Sequence, residues 1–215
     1  MNFSSVFALY RLLLKGLLFT LELSALAIVF SFVLGLAVSF LLISKKRLLR
    51  YPAQFYVSIF RSAPPLILLF MFYFGLAYLG VDFSVFQAVV IVFTLYSGAY
   101  VAEIFRAGLQ SVPRGQTEAG ECVGLTRFQI MTSITFPQAF KVSLSPLISF
   151  YLSMIKDTSL ASIVGYKDLI SWGKTIIGMT GSAFEVYLIV AIVYFIICFP
   201  ISRVVDHIEK RRAAA

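Results

Sequence analysis

Leu23 to Ile43 reads LSALAIVFSFVLGLAVSFLLI, 21 residues without a charge. A helix of about 20 apolar residues crosses a ~30 Å hydrocarbon core, so this run is long enough to span a bilayer. Working outward, the pattern recurs. Ser62 to Val81 gives 20 uncharged residues, Phe83 to Ala102 another 20, and Val186 to Ser202 gives 17. Val142 to Ile155 gives 14, Lys156-Asp157 interrupts, and Thr158 to Tyr166 resumes. The 215 residues are 60% hydrophobic and 13% charged, with a mean hydropathy of +0.93. A soluble domain carries about twice that charged share and could not cover such a chain with polar surface. The expected class is an all-α integral membrane protein of about five helices, at 14–43, 53–80, 84–109, 141–166 and 184–206. No internal repeat, low-complexity stretch or linker is visible, so residues 1–215 are read as a single transmembrane domain. The first run is too long for a signal-peptide core and lacks a cleavage site, so it is read as retained.

Composition excludes a disordered chain and a disulfide scaffold. The net charge of +8 could suggest nucleic acid, but the basic residues lie between apolar runs and read as topology signals. Cys122 and Cys198 are far apart and His207 is the only histidine, so neither metal nor redox spacing is present. The first connection carries Lys45, Lys46, Arg47 and Arg50. The third carries Arg114 and Arg127, and the tail carries Arg203, Lys210, Arg211 and Arg212. The second has Asp82 and no Lys or Arg; the fourth is mixed, with Lys167, Asp168 and Lys174. Basic loops stay in the cytoplasm, which puts the N-terminus (Asn2) outside and the C-terminus (Ala215) inside.

The third connection, about 110–140, is long and amphipathic and is the only cytoplasmic segment expected to be large enough to fold. Thr117 can cap a short helix over Thr117 to Val123, with Glu118 and Glu121 near its positive end. Gly124 would end it in a turn. Thr126 to Phe136 forms a second amphipathic segment that stops at Pro137. Read from the residues alone, this is either a docking platform or a plain interfacial connector.

The loop resembles the cytoplasmic signature of ABC importer permeases: Glu-Ala-Ala, three residues, Gly, nine residues, Ile-x-Leu-Pro. Here Glu118-Ala119-Gly120, Gly124 and Ile134-Thr135-Phe136-Pro137 keep every spacing, with Gly120 in place of Ala and Phe136 in place of Leu. Tyr100-Val101-Ala102-Glu103-Ile104-Phe105-Arg106-Ala107-Gly108, Val112-Pro113-Arg114-Gly115-Gln116, Phe60-Arg61-Ser62-Ala63-Pro64-Pro65-Leu66 and Lys156-Asp157-Thr158-Ser159-Leu160 are similar to the polar amino acid subfamily. The resemblance covers roughly residues 10 to 205. It implies a type I ABC importer permease of the bacterial plasma (inner) membrane, multi-pass and surrounded by lipid. It further implies two cytoplasmic ATPase subunits, a second permease (a copy or a paralogue), and an external solute-binding protein. The cargo would be a polar amino acid such as a basic amino acid, glutamine or cystine, moved by alternating access. The coupling residues would be Gln116, Glu118, Ala119, Gly120, Gly124 and Pro137. No cofactor and no enzymatic site of its own are expected, ATP being bound by the partners.

Charges within spans are costly and mark a pathway or an internal pair. Lys156, Asp157, Thr158 and Ser159 offer partners to both ends of an amino acid, or else hold the fold. Pro64-Pro65 break backbone bonding and should kink the second span, so Arg61 just before them suits a gate or cavity wall, or else snorkels to headgroups. Glu103 and Arg106 can pair at i,i+3, which favours a structural role. Gly173-Lys174-Thr175 imitates part of a phosphate loop, but Asp168 stands where its first glycine belongs. An intramembrane hydrolase would need a base that only a Ser–Lys or Asp pair could supply. A secondary transporter or channel would explain the charges but not the loop, and the chain lacks an inverted repeat.

Overall fold

The computed structural model describes residues 3–213, so Asn2 and Ala215, on which the expected orientation of the two ends bears, lie outside the described residues. Helices follow in the order α1 (Phe3–Phe7), α2 (Tyr10–Leu42), α3 (Arg47–Ser62), α4 (Pro65–Tyr78), α5 (Val85–Ser111), α6 (Arg114–Cys122), α7 (Arg127–Val164), α8 (Leu169–Thr180) and α9 (Ala183–Ala213). The described residues contain no strand. Among the described residues four helices (α2, α5, α7 and α9) are long and apolar enough to cross a membrane, and the bent α3–α4 pair makes a fifth if the two halves are one broken span.

This bent pair occupies the expected second span at 53–80, and its break falls at the two prolines where a kink is expected. Ala63 and Pro64 are extended, with ψ 139° and 135°, and α3 meets α4 at 107°. Proline removes an amide donor and disfavours helix in the residue before it, so Pro64-Pro65 cannot lie mid-helix. The fourth span differs. Its helix begins at Arg127, fourteen residues before the expected start, because Pro137 does not stop it. A π-turn at Met131–Thr135 precedes Pro137 and widens the helix where the proline ring would meet the Ser133 carbonyl. Gln138 Nε2 donates to the Ile134 carbonyl at 3.0 Å.

α5 is the central helix, buried on several sides by α2, α3, α4 and α7. Between apolar helices in lipid, close packing replaces hydrophobic drive, and small residues allow it. A Cβ on Gly35 of α2 would lie 2.5 Å from the Val101 side chain of α5. One on Gly108 of α5 would lie 2.1 Å from Ser143 Oγ and 2.9 Å from the Ala139 carbonyl of α7. Away from this centre, α8 caps one end. Leu169 and Ile176 pack with Leu13 of α2 and with Val186 and Val190 of α9. The first connection and the α6 elbow meet at the opposite end, where Lys45, Thr117, Glu121 and Arg127 line one cleft of about 290 Å³.

Candidate functional site

The elbow between α5 and α7 is built from punctuation residues. Pro113, with φ −58°, starts α6 at Arg114, and the Gln116 amide donates to its carbonyl at 3.0 Å. Thr117 is therefore inside the helix, and the expected cap there is replaced by a proline start. Gly124 has φ +80°; its amide donates to Glu121 O and that of Leu125 to Gly120 O, each at 3.0 Å. These two bonds form a Schellman turn, whose left-handed residue favours glycine. Thr126 and Gln129 then cap α7 reciprocally.

Gln116, Glu118, Ala119, Gly124 and Pro137 are exposed, whereas Gly120 is buried. A Cβ on Gly120 would approach Ile130 Cγ1 to 2.9 Å and Ile134 Cδ1 to 3.2 Å. Its small size thus serves packing against α7, not approach to an outside surface as its place in the signature suggested. Val123 and Phe128, 75% and 76% exposed, flank the turn.

At the same end, α3 and α5 enclose a polar cavity of about 850 Å³. Arg50, Gln54, Ser58 and Arg61 line it from one face of α3; Tyr100, Glu103, Arg106 and Gln110 line it from α5. Glu103 accepts from Arg106 Nε at 2.8 Å and Nη2 at 2.5 Å, and Arg61 Nη1 lies 3.6 Å from the same carboxylate. Arg106 also donates to Gln110 Oε1 at 2.6 Å. The Arg61 guanidinium sits 5.3 Å over the Tyr100 ring. Arg61 thus reaches Glu103 and Tyr100 while its side chain stays 40% exposed. A second cavity of about 420 Å³, bordered by Val142, Ser143 and Pro146 of α7, shares Arg61, Tyr100 and Glu103 with the first. These three side chains form the partition between the two spaces, and Pro64, three residues beyond Arg61, sits at the bend that positions it.

The Lys156–Ser159 stretch is divided by the structure. Asp157 lies within electrostatic reach of both Lys156 and Tyr96, and the Tyr96 ring is 5.0 Å from Tyr100. Lys156 and Ser159 face a different groove, between α7, α8 and α9. Thr158 is fully buried, and its hydroxyl donates to Ile155 O at 2.7 Å. Gly173-Lys174-Thr175 lies within helix α8, with Gly173 against Val186, which is no phosphate loop. Asp168 caps that helix: Oδ1 accepts from the Ser171 amide at 2.8 Å, and Oδ2 is buried without a hydrogen-bond partner. Burial pushes its carboxyl up to about 6, an effect only partly offset by the Ser171 amide.

Sequence reasoning missed Arg50, Gln54, Ser58, Tyr96 and Tyr100. The first three recur every fourth residue up to Arg61, a polar stripe on an apolar background that could have marked the cavity wall.

Residues 27–214 match the family described as binding-protein-dependent transport system inner membrane component. The chain is 38% identical over 201 residues to the probable amino-acid ABC transporter permease protein YckA of Bacillus subtilis, covering 94% of this chain and 88% of that one. It is 37% identical to the probable glutamine ABC transporter permease protein GlnM of the same organism, covering 98% of each. A crystal structure of an amino acid ABC transporter with histidines superposes with a TM-score of 0.92 at 33% identity, over 98% of this chain and 99% of that one. The chain belongs to the binding-protein-dependent transport system inner-membrane family, as a multi-pass permease subunit of the polar amino acid ABC importers.

Proposed function

We propose that this permease imports a polar amino acid by alternating access, driven by ATP that partner ATPases bind and hydrolyse. Its basic end would face the cytoplasm, with the N-terminus outside and the C-terminus inside. The elbow carries this reading. A nine-residue helix is marginal in water, yet α6 is held rigid by a proline start, a Schellman turn and the Gly120–Ile130 contact. It presents Gln116, Glu118 and Ala119 outward beside the uncovered Val123 and Phe128. A rigid elbow with an apolar rim suits a protein surface more than bulk water. Two ATPase subunits would dock there, a second permease would complete the pathway, and an external solute-binding protein would deliver cargo.

Arg61, Glu103 and Asp157, joined through Tyr100 and Tyr96, would form the substrate path. Arginine suits the cargo carboxylate and the two acids suit its ammonium. Three arginines against one glutamate around the larger cavity favour glutamine over basic amino acids, in agreement with the glutamine permease named above. Glu118→Lys tests the coupling half of the proposal. The purified assembly is expected to lose its ATPase subunits or its substrate-stimulated hydrolysis, with the permease still inserted. Full retention of both would refute docking at the elbow.

A further inference from the structure

The groove that takes Lys156 has a chemistry of its own. It measures about 570 Å³ and is walled by α7, α8 and α9. Its lining is apolar or aromatic, with Val190, Tyr194 and Phe195 from α9; Lys156 is its only charged side chain and Ser159 and Cys198 add small polar atoms. Among the described residues Lys156 forms no salt bridge; the adjacent Asp157 carboxylate lies within electrostatic reach of it but outside the groove lining. The groove opens sideways: Tyr187 and Phe195 on its rim are 46% and 60% exposed, on the most peripheral of the spanning helices. A lysine at such a position needs a counter-charge, and the groove lining holds no carboxylate. Lys156 lies fifteen residues after Lys141, roughly 22 Å along α7 in a ~30 Å core, which leaves about 8 Å to the outer headgroups, close to the reach of its side chain.

We propose that this groove seats an anionic phospholipid, its phosphate on Lys156 and one acyl chain along the aromatic face of α9. Cationic pockets between membrane helices recognise acidic headgroups in this way. A zwitterionic amino acid would leave its ammonium unpaired here, and the groove shares no residue with the two cavities at Arg61 and Glu103. The proposal is independent of the substrate path and of the coupling elbow.

Native mass spectrometry of the detergent-solubilised assembly, exchanged against an equimolar mixture of phosphatidylglycerol and phosphatidylcholine, provides the test. One tightly held phosphatidylglycerol per permease copy is expected, preferred about tenfold over phosphatidylcholine. Lys156→Gln should abolish the preference and Lys156→Arg should keep it. Lys174→Gln should leave it unchanged, because Lys174 bonds Ser162 and lies outside the groove. Equal retention of the two lipids by the wild-type assembly, or unchanged preference in Lys156→Gln, overturns the assignment. If Lys156→Gln does not assemble, Cys198 in a Cys122→Ser background decides the matter. Maleimide labelling of Cys198 is expected to be several-fold slower in phosphatidylglycerol vesicles than in phosphatidylcholine vesicles, and equal rates overturn the proposal. An oxidative Cys198–Cys198 cross-link between permease copies would overturn it too, by showing that protein fills the groove.

Discussion

Replacing Gly124 is expected to open the elbow through backbone strain alone. Its φ is +80°, and a Cβ built there meets nothing within 4 Å, so no neighbour resists the new side chain. The left-handed conformation costs an L-residue about 1–2 kcal/mol. Loss of glycine's freedom in the unfolded chain returns about 0.4–1 kcal/mol. Gly124→Ala should therefore lose about 1 kcal/mol, roughly a fivefold shift toward the open elbow. Gly124→Asn should lose less, because asparagine visits this region readily, and Gly124→Val should lose more because its branched Cβ does not. Hydrogen exchange at the amides of Gly124 and Leu125 reads the effect, since both are tied down by the Schellman bonds. Exchange should quicken in the order Asn, Ala, Val, and ATPase retention should fall in the same order. Valine exchanging no faster than asparagine would refute the reasoning, because a turn indifferent to branching is not left-handed.

Three further outcomes are expected. In double-mutant cycles read by thermal melting of the solubilised assembly, Glu103–Arg106 should couple by about 1–3 kcal/mol and the longer, more exposed Arg61–Glu103 pair by less than about 1 kcal/mol; equal couplings would contradict the geometry. Gly108→Ala should cost about 1–3 kcal/mol by overpacking, and Ser143→Ala should restore part of it by removing the oxygen 2.1 Å away, while the Ala139 carbonyl continues to resist; no rescue would place the clash elsewhere. Asp168 holds its proton more tightly in the folded chain than in the unfolded one, so its contribution is present below about pH 4 and lost as pH rises through about 6. Melting temperature should fall across that window in the wild type and stay flat in Asp168→Asn, which keeps the helix cap; parallel curves would show that the carboxyl is not the titrating group.

Membrane class, the four straight spans and the elbow's glycine turn were legible in the sequence because each rests on a local signal: the length of an apolar run, or a Gly at the end of a polar helix. The kink at Pro64-Pro65 was legible too, though not its size of 107°, whereas the expected stop at Pro137 is absorbed by a π-turn. The difference lies in tertiary packing, which pins Arg61 against Glu103 but lets α7 run on past Ile130. Helix α8 had its signals, an Asp cap and Gly181 at φ +68°, yet its twelve residues fell below spanning length and were read as connection. At the site, Glu103 and Arg106 could be paired from their spacing. The division of Lys156 from Asp157 was visible only as a 100° step between neighbouring positions on a helix, and which neighbour each would meet depended on α5 and α9.

Uptake by the whole assembly in proteoliposomes, with ion gradients collapsed by ionophores, tests the central claim most directly. The account predicts that labelled glutamine accumulates only when ATP is present on the ATPase side and binding protein on the other, and that accumulation stops with a non-hydrolysable analogue. Accumulation that follows an imposed ion gradient without ATP would contradict it.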